Sequence, residues 1–170
     1  MHWSRVFRVL RRMELSGEVV AGQFFQGVPG LQFASKEALD RLRQVPDVDH
    51  RFWLCATDPA SPCGLGLDFG EELPRRVPGN HLVFMGERLI VKSENRGKRL
   101  TVRIAPDHPS IATFLGFLNH LLTRQARPEK LLTVETINGV AAAKSEYRSV
   151  LETMFLVVSI RGTLQVMRKY

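Results

Sequence analysis

Residues 3–34 read WSRVFRVLRRMELSGEVVAGQFFQGVPGLQFA, and this stretch decides the fold. In its first half Trp3, Val6, Phe7, Val9, Leu10 and Met13 recur at helical spacing on one face. Arg5, Arg8 and Arg12 gather on the opposite face, with Arg11 at its edge. Gly17 stands where a left-handed cap would end a helix over 3–15. Two strands follow, Glu18 to Gly22 and Leu31 to Ala34, with Gly27, Pro29 and Gly30 between them, which predicts a hairpin with a long tip. Ser35 then caps a short helix from Lys36 to Arg43, with Ala38, Leu39 and Leu42 expected inward. Helix then hairpin is the order of the last two parts of a winged helix-turn-helix, whose helix before the hairpin is presented to DNA.

Beyond Pro46 and Asp47, which are expected to break the chain, the pattern changes. Arg51 to Thr57 reads as a strand, and Asp58 to Pro78 as a long Pro- and Gly-rich loop. Three strands follow: His81 to Met85, Arg88 to Glu94 and Lys98 to Ile104. In the third, Leu100, Val102 and Ile104 alternate with Arg99, Thr101 and Arg103, giving one buried face and one basic face. Pro109 opens a helix to about Gln125 that is apolar around most of its circumference and so is expected to be buried. Leu131 to Ile137 reads as one strand, Ser145 to Phe155 as an amphipathic helix, and Leu156 to Ile160 with Thr163 to Arg168 as a closing hairpin.

The chain of 170 residues carries 24 basic and 17 acidic groups, a net charge of +7. Its length suits one domain or one and a half, and excludes a motor with two nucleotide-binding lobes. No Gly-x-x-x-x-Gly-Lys phosphate loop and no Asp-Glu box is present, so ATP hydrolysis by this chain alone is not expected. Two cysteines, without Cys-x-x-Cys spacing, predict neither a disulfide framework nor a zinc site, and point to a reducing cytoplasm. No apolar run is long enough to span a membrane, and the start lacks the apolar segment of a secretory signal. No cofactor and no metal site is expected.

The basic features are the main candidates for chemistry. Arg5, Arg8 and Arg12 are placed to straddle phosphates along a groove edge. Arg96, Lys98 and Arg99, with Arg103, gather on one hairpin and its solvent face. Phe24 and Phe25 at the first hairpin's tip are candidates for stacking on bases. Arg75 and Arg76 are a weaker version of the same pattern. Asp58, after a strand and before Pro59, is either a general base or a loop-capping carboxylate, with the structural role favoured. The five histidines sit singly and are expected to be structural or at the surface.

Several stretches together resemble the far end of the helicase core in the large helicase-related (Lhr) proteins, a group of DEAD/H-type helicases. They are Leu10 to Glu14 through Gly17-Glu18-Val19, Gly22-Gln23-Phe24, Gly27-Val28-Pro29-Gly30 and Gln32-Phe33-Ala34. Ala56-Thr57-Asp58-Pro59, Pro62, Gly64 and Pro78-Gly79 follow, and then Val134-Glu135, Ile137-Asn138-Gly139, Ser145 and Tyr147. The resemblance implies an accessory region of an ATP-driven, DNA-repair-linked translocase, whose motor lobes lie on a larger chain. It also implies likeness to winged-helix DNA glycosylases. The chain departs from the family pattern at Ala21, Ser61 and Cys63, and lacks an upstream Gly-Arg-Trp stretch.

The expected architecture is α+β. A partial winged helix-turn-helix, helix plus wing hairpin, occupies 1–46. A small β-rich module and a C-terminal β-α-β-β portion occupy 47–170, with helices near 109–125 and 145–155. The expected role is a non-catalytic accessory domain gripping single-stranded DNA or a DNA–RNA hybrid. The alternatives are a DNA-base enzyme and a protein-interaction module that pairs with a second copy.

Overall fold

The computed structural model describes residues 2–25, 27–44, 48–66, 70, 72–126 and 128–169. The chain divides into two compact units, Met1–Asp47 and Val48–Tyr170. The break expected at Pro46 and Asp47 lies outside the described residues.

The first unit opens with helix α1 (Trp3–Leu15). Its end is a full Schellman closure: Gly17 N donates to Glu14 O at 3.0 Å and Glu18 N to Met13 O at 2.8 Å, with Gly17 at φ 77°. Strands β1 (Val19–Gly22) and β2 (Gln32–Ser35) pair antiparallel, Val19 opposite Ser35 and Gly22 opposite Gln32. Phe7 meets Phe33 edge-on at 5.9 Å and Trp3 at 6.1 Å, so the apolar stripe of α1 packs on the hairpin. Ser35 Oγ accepts from Ala38 N at 3.1 Å and starts helix α2 (Lys36–Arg43). Here the sequence reading is corrected: Ala38 and Leu42 are exposed and only Leu39 is half-buried. A two-turn helix with Glu37–Arg41 and Asp40–Arg43 ion pairs holds itself by local contacts and its cap rather than by burial.

The second unit is built on a six-stranded sheet in the order β3-β4-β5-β6-β8-β9. Its strands are β3 (Arg51–Cys55), β4 (His81–Met85), β5 (Arg88–Glu94), β6 (Arg99–Val102), β8 (Thr136–Ile137) and β9 (Val140–Ala141). All pairings are antiparallel except β6 with β8. A three-stranded antiparallel sheet, order β10-β11-β7, combines β7 (Leu132–Val134), β10 (Leu156–Ile160) and β11 (Thr163–Met167). Helix α3 (Ile111–Thr123) buries Phe114, Leu115, Phe117 and Leu118 in one core with Val91 and Leu100 of the larger sheet and Val134 and Leu164 of the smaller one. A helix that serves two sheets must be apolar on most of its surface. Helix α4 (Arg148–Met154) adds Leu151, and Tyr147 beside it donates its hydroxyl to Ile104 O at 2.6 Å.

Two expectations change here. The single strand read over Leu131 to Ile137 is two strands in two sheets. The N–H groups of Glu135 and Thr136 both donate to Lys98 O, at 2.7 and 3.1 Å, which turns the chain from β11 on one side to β6 on the other. The helix read over Ser145 to Phe155 begins later, at Arg148, after a 3-10 turn over Ala142–Lys144.

The loop after β3 is ordered by burial and by one arginine. Ala56 and Cys63 join Leu82, Phe84 and Leu89 in a second, smaller core on the other face of β4. Arg76 donates to the carbonyls of Ser61 (3.2 Å), Cys63 (3.1 Å) and Asp58 (3.0 Å). No helix among the described residues is long and apolar enough to cross a membrane.

Candidate nucleic-acid interface

On α1, Arg5, Arg8 and Arg12 are all exposed. Arg8 Nε donates to Ser4 O at 3.3 Å, within its own helix. Arg11 is drawn aside by an ion pair with Glu14. Arg5 and Arg12 have no acidic partner among the described residues, so their guanidinium forks are free for another anion.

The wing tip is held by Gln32. Its Oε1 accepts from Phe24 N at 2.7 Å and Phe25 N at 2.9 Å, and its Nε2 donates to Val28 O at 3.0 Å and Phe25 O at 3.3 Å. This single amide substitutes for the strand partner that the loop lacks. The two phenylalanines then diverge. Phe24 is half-buried, its ring against Gly22, while Phe25 is 59% exposed. Phe25 alone offers an open ring face.

The hairpin between β5 and β6 turns through Asn95, Arg96 and Gly97, all at positive φ. It is clamped from the long loop: Asn95 N donates to Asn80 Oδ1 at 2.8 Å, and Arg96 N to Gly79 O at 2.9 Å. Asn80 also donates to Arg75 O at 3.0 Å. The clamp raises the Arg96 side chain into solvent. Lys98 and Arg99 differ from it, being paired with Glu135 at 2.8 Å and Glu94 at 3.8 Å. Both pairs are solvent-accessible and hence weak, so phosphate could replace the carboxylates at small cost.

Beside this turn lies a groove of about 870 Å³. Arg75, Lys92, Arg96, Lys98 and Arg99 line it against three acids, Glu72, Glu94 and Glu129. Arg76, expected to belong with Arg75, is instead committed to the loop carbonyls. Asp58 Oδ1 accepts from Ala60 N at 2.8 Å, which is the loop-capping role.

A second cavity, about 640 Å³, was not legible in the sequence. Trp53 of β3 meets His120 of α3 at 4.8 Å and His81 of β4 at 6.0 Å between ring centroids. Two of the five histidines that stand singly in the chain, His81 and His120, thus share one site. His81 is 5% exposed and its pKa is lowered, first by burial and then by the Arg124 charge. Cys55, on the same wall, has a lowered thiol pKa: burial pushes it up, but hydrogen bonds from Thr57 and the Gly79 backbone outweigh that. Among the described residues no group of three or more His, Cys, Asp or Glu side chains could hold a metal ion.

Residues 1–53 match the family model for the winged-helix domain of the large helicase-related protein. The chain is 32% identical over 149 residues to the "Lhr helicase/ probable uracil glycosylase" of Mycolicibacterium smegmatis, covering 82% of this chain and 10% of that protein. It is 33% identical over 102 residues to the "Lhr helicase/uracil glycosylase" of Escherichia coli, covering 54% of this chain and 7% of that protein. The chain therefore spans a tenth or less of the length of these curated relatives. It belongs with the large helicase-related proteins, and its first unit is a winged-helix domain of their kind.

Proposed function

We propose that this large helicase-related chain is a non-catalytic nucleic-acid-binding module, working beside motor lobes that a larger chain supplies, in DNA repair in the cytoplasm. Its ligand is single-stranded DNA or a DNA–RNA hybrid. Arg5, Arg8 and Arg12 contact phosphates from the helix that precedes the wing, Phe25 offers a stacking face, and Arg96, with Lys98 and Arg99, supplies a second cationic contact. The observation that carries this reading is the α1 stripe: three exposed arginines at helical spacing, two of them without an acidic partner among the described residues, on a winged-helix domain.

Fluorescence anisotropy with labelled single-stranded DNA at low and moderate salt tests it. Binding should weaken steeply with salt, because each neutralised phosphate of a single strand contributes a slope of about −0.7 in log K against log salt. Replacing Arg5, Arg8 and Arg12 together with Ala should flatten that slope by about 2. Absence of binding at low salt, or a wild-type slope in the triple variant, defeats the reading.

A second reading, an enzyme acting on DNA bases, is favoured by the glycosylase named in both relatives. Asp58 is not its catalyst on the present geometry, since its carboxylate is used by the loop. Release of base from a uracil-containing oligonucleotide by this chain, retained in Asp58→Ala, would support that reading.

A further inference from the structure

The cavity beside Trp53 has a chemistry that the phosphate contacts do not use. One wall is an indole, 38% exposed, with His120 against it. His81, which also lines the cavity, is only 5% exposed, and its Nδ1 has no hydrogen-bond partner among the described residues. A buried polar atom left unsatisfied is costly, so a ligand group that supplies its missing partner gains affinity. At the mouth, Arg124 is engaged by Glu129 at 3.5 Å, which neutralises that acid. Arg96 remains, and it lines both this cavity and the neighbouring groove.

A ligand that satisfies all of these is flat, carries hydrogen-bonding groups on its edge and is joined to an anion. We infer that the cavity receives one unstacked base of a single-stranded nucleic acid, its face on Trp53, its edge at His81 Nδ1 and its phosphate at Arg96, with the flanking backbone continuing along the groove. No bond is made or broken. The inference rests on the nucleic-acid reading above and adds to it the place where a base is held.

The role of each group follows from its position. Trp53 lies on β3, opposite Val83 of β4, so its ring is fixed by the sheet and not by a mobile loop. Stacking on such a fixed ring is tolerant of base identity. The hydrogen bond at His81 is not: it distinguishes bases by what their edges present. Arg96 is held by the Gly79 clamp, which places a cation where the base leaves the backbone.

The test uses the full chain with Trp3→Phe, which leaves Trp53 as the single tryptophan. Oligodeoxythymidylate is titrated by anisotropy and by indole emission together, and a polymer of equal length lacking bases is titrated in parallel. Oligothymidylate should quench Trp53, and the abasic polymer should bind without quenching and about 10-fold more weakly. Trp53→Leu should lose about 10-fold on oligothymidylate, bind the abasic polymer like wild type and keep the salt slope, whereas Trp53→Phe should retain affinity. Binding of oligothymidylate without quenching and with no advantage over the abasic polymer overturns the inference while leaving the phosphate reading standing. No anisotropy change with either polymer overturns both. The quenching and abasic arms need no change at Trp53, so a Trp53→Leu chain that failed to fold would not blunt the test.

Discussion

Asn138 forms a closed pair of hydrogen bonds with the backbone of Val102: its Oδ1 accepts from Val102 N at 2.7 Å and its Nδ2 donates to Val102 O at 2.9 Å. The side-chain amide does what a further residue of β8 would do, extending a parallel pairing that has only two residues of its own. Asn138 also holds φ 51° at the turn, a conformation Asn tolerates better than most residues. Asn138→Ala should therefore cost about 2 kcal/mol, and Asn138→Asp at least as much, because a carboxylate cannot donate to Val102 O. Urea unfolding measures this, and a loss below about 0.5 kcal/mol would contradict it.

Gly86 and Gly139 both have positive φ, but only Gly86 is crowded. A Cβ there would lie 2.8 Å from Val48 O and 3.1 Å from Val48 Cα, backbone atoms that cannot swing away, whereas among the described residues nothing lies within 4 Å at Gly139. Gly139→Ala should cost about 1 kcal/mol from backbone strain alone, and Gly86→Ala about 3 kcal/mol. Equal costs in thermal unfolding would refute the steric part of this account.

Gln32 should govern the order of the wing tip without governing global stability. Removing its amide with Gln32→Ala frees the N–H groups of Phe24 and Phe25, whose hydrogen exchange should accelerate by about 10-fold. Amides of β4 and β5 should be unchanged. Unaltered exchange at Phe24 and Phe25 would show that the tip is held by something else.

His81 gives the second unit a pH dependence of predictable sign. Its pKa lies below the ordinary 6.5, because burial and then Arg124 disfavour the imidazolium, with His120 adding to them and the Gly79 backbone opposing. Below pH 6.5 the unfolded chain binds this proton and the folded one resists it, so stability falls as pH drops toward the folded pKa. His81→Phe should flatten the decline between pH 7 and 5 in denaturant titrations. A slope identical to wild type would assign the decline to other groups.

What was legible in the sequence was local. The stripe of α1, the Gly17 closure, the Ser35 cap and the alternation of β6 each depend on residues a few positions apart, and all appear as expected. Leu42, expected inward, is exposed, because apolar identity at helical spacing does not say whether anything lies opposite. The β7–β8 division is not legible locally because the group that turns the chain there, Lys98 O, lies 37 residues before Glu135. The site divides in the same way. The exposed arginine face could be read from periodicity, but Lys98 with Glu135, Arg76 with three carbonyls, and Trp53 with His81 and His120 are meetings of distant segments. Adjacent alternation in β3 put Trp53 and Cys55 on one side, which was the only local hint of the second cavity.

The turn at Glu135 has a kinetic consequence. Because one short segment joins both sheets, the docking of β8 on β6 and of β7 on β11 is coupled. β6–β8 pairing and β7–β11 pairing each close a long loop, and the entropy of both closures falls within a single event. The second unit should therefore assemble in one slow concerted phase rather than sheet by sheet. In the reverse direction, its strands should share one opening rate, leaving no half-folded form with a bare strand edge for another chain to find.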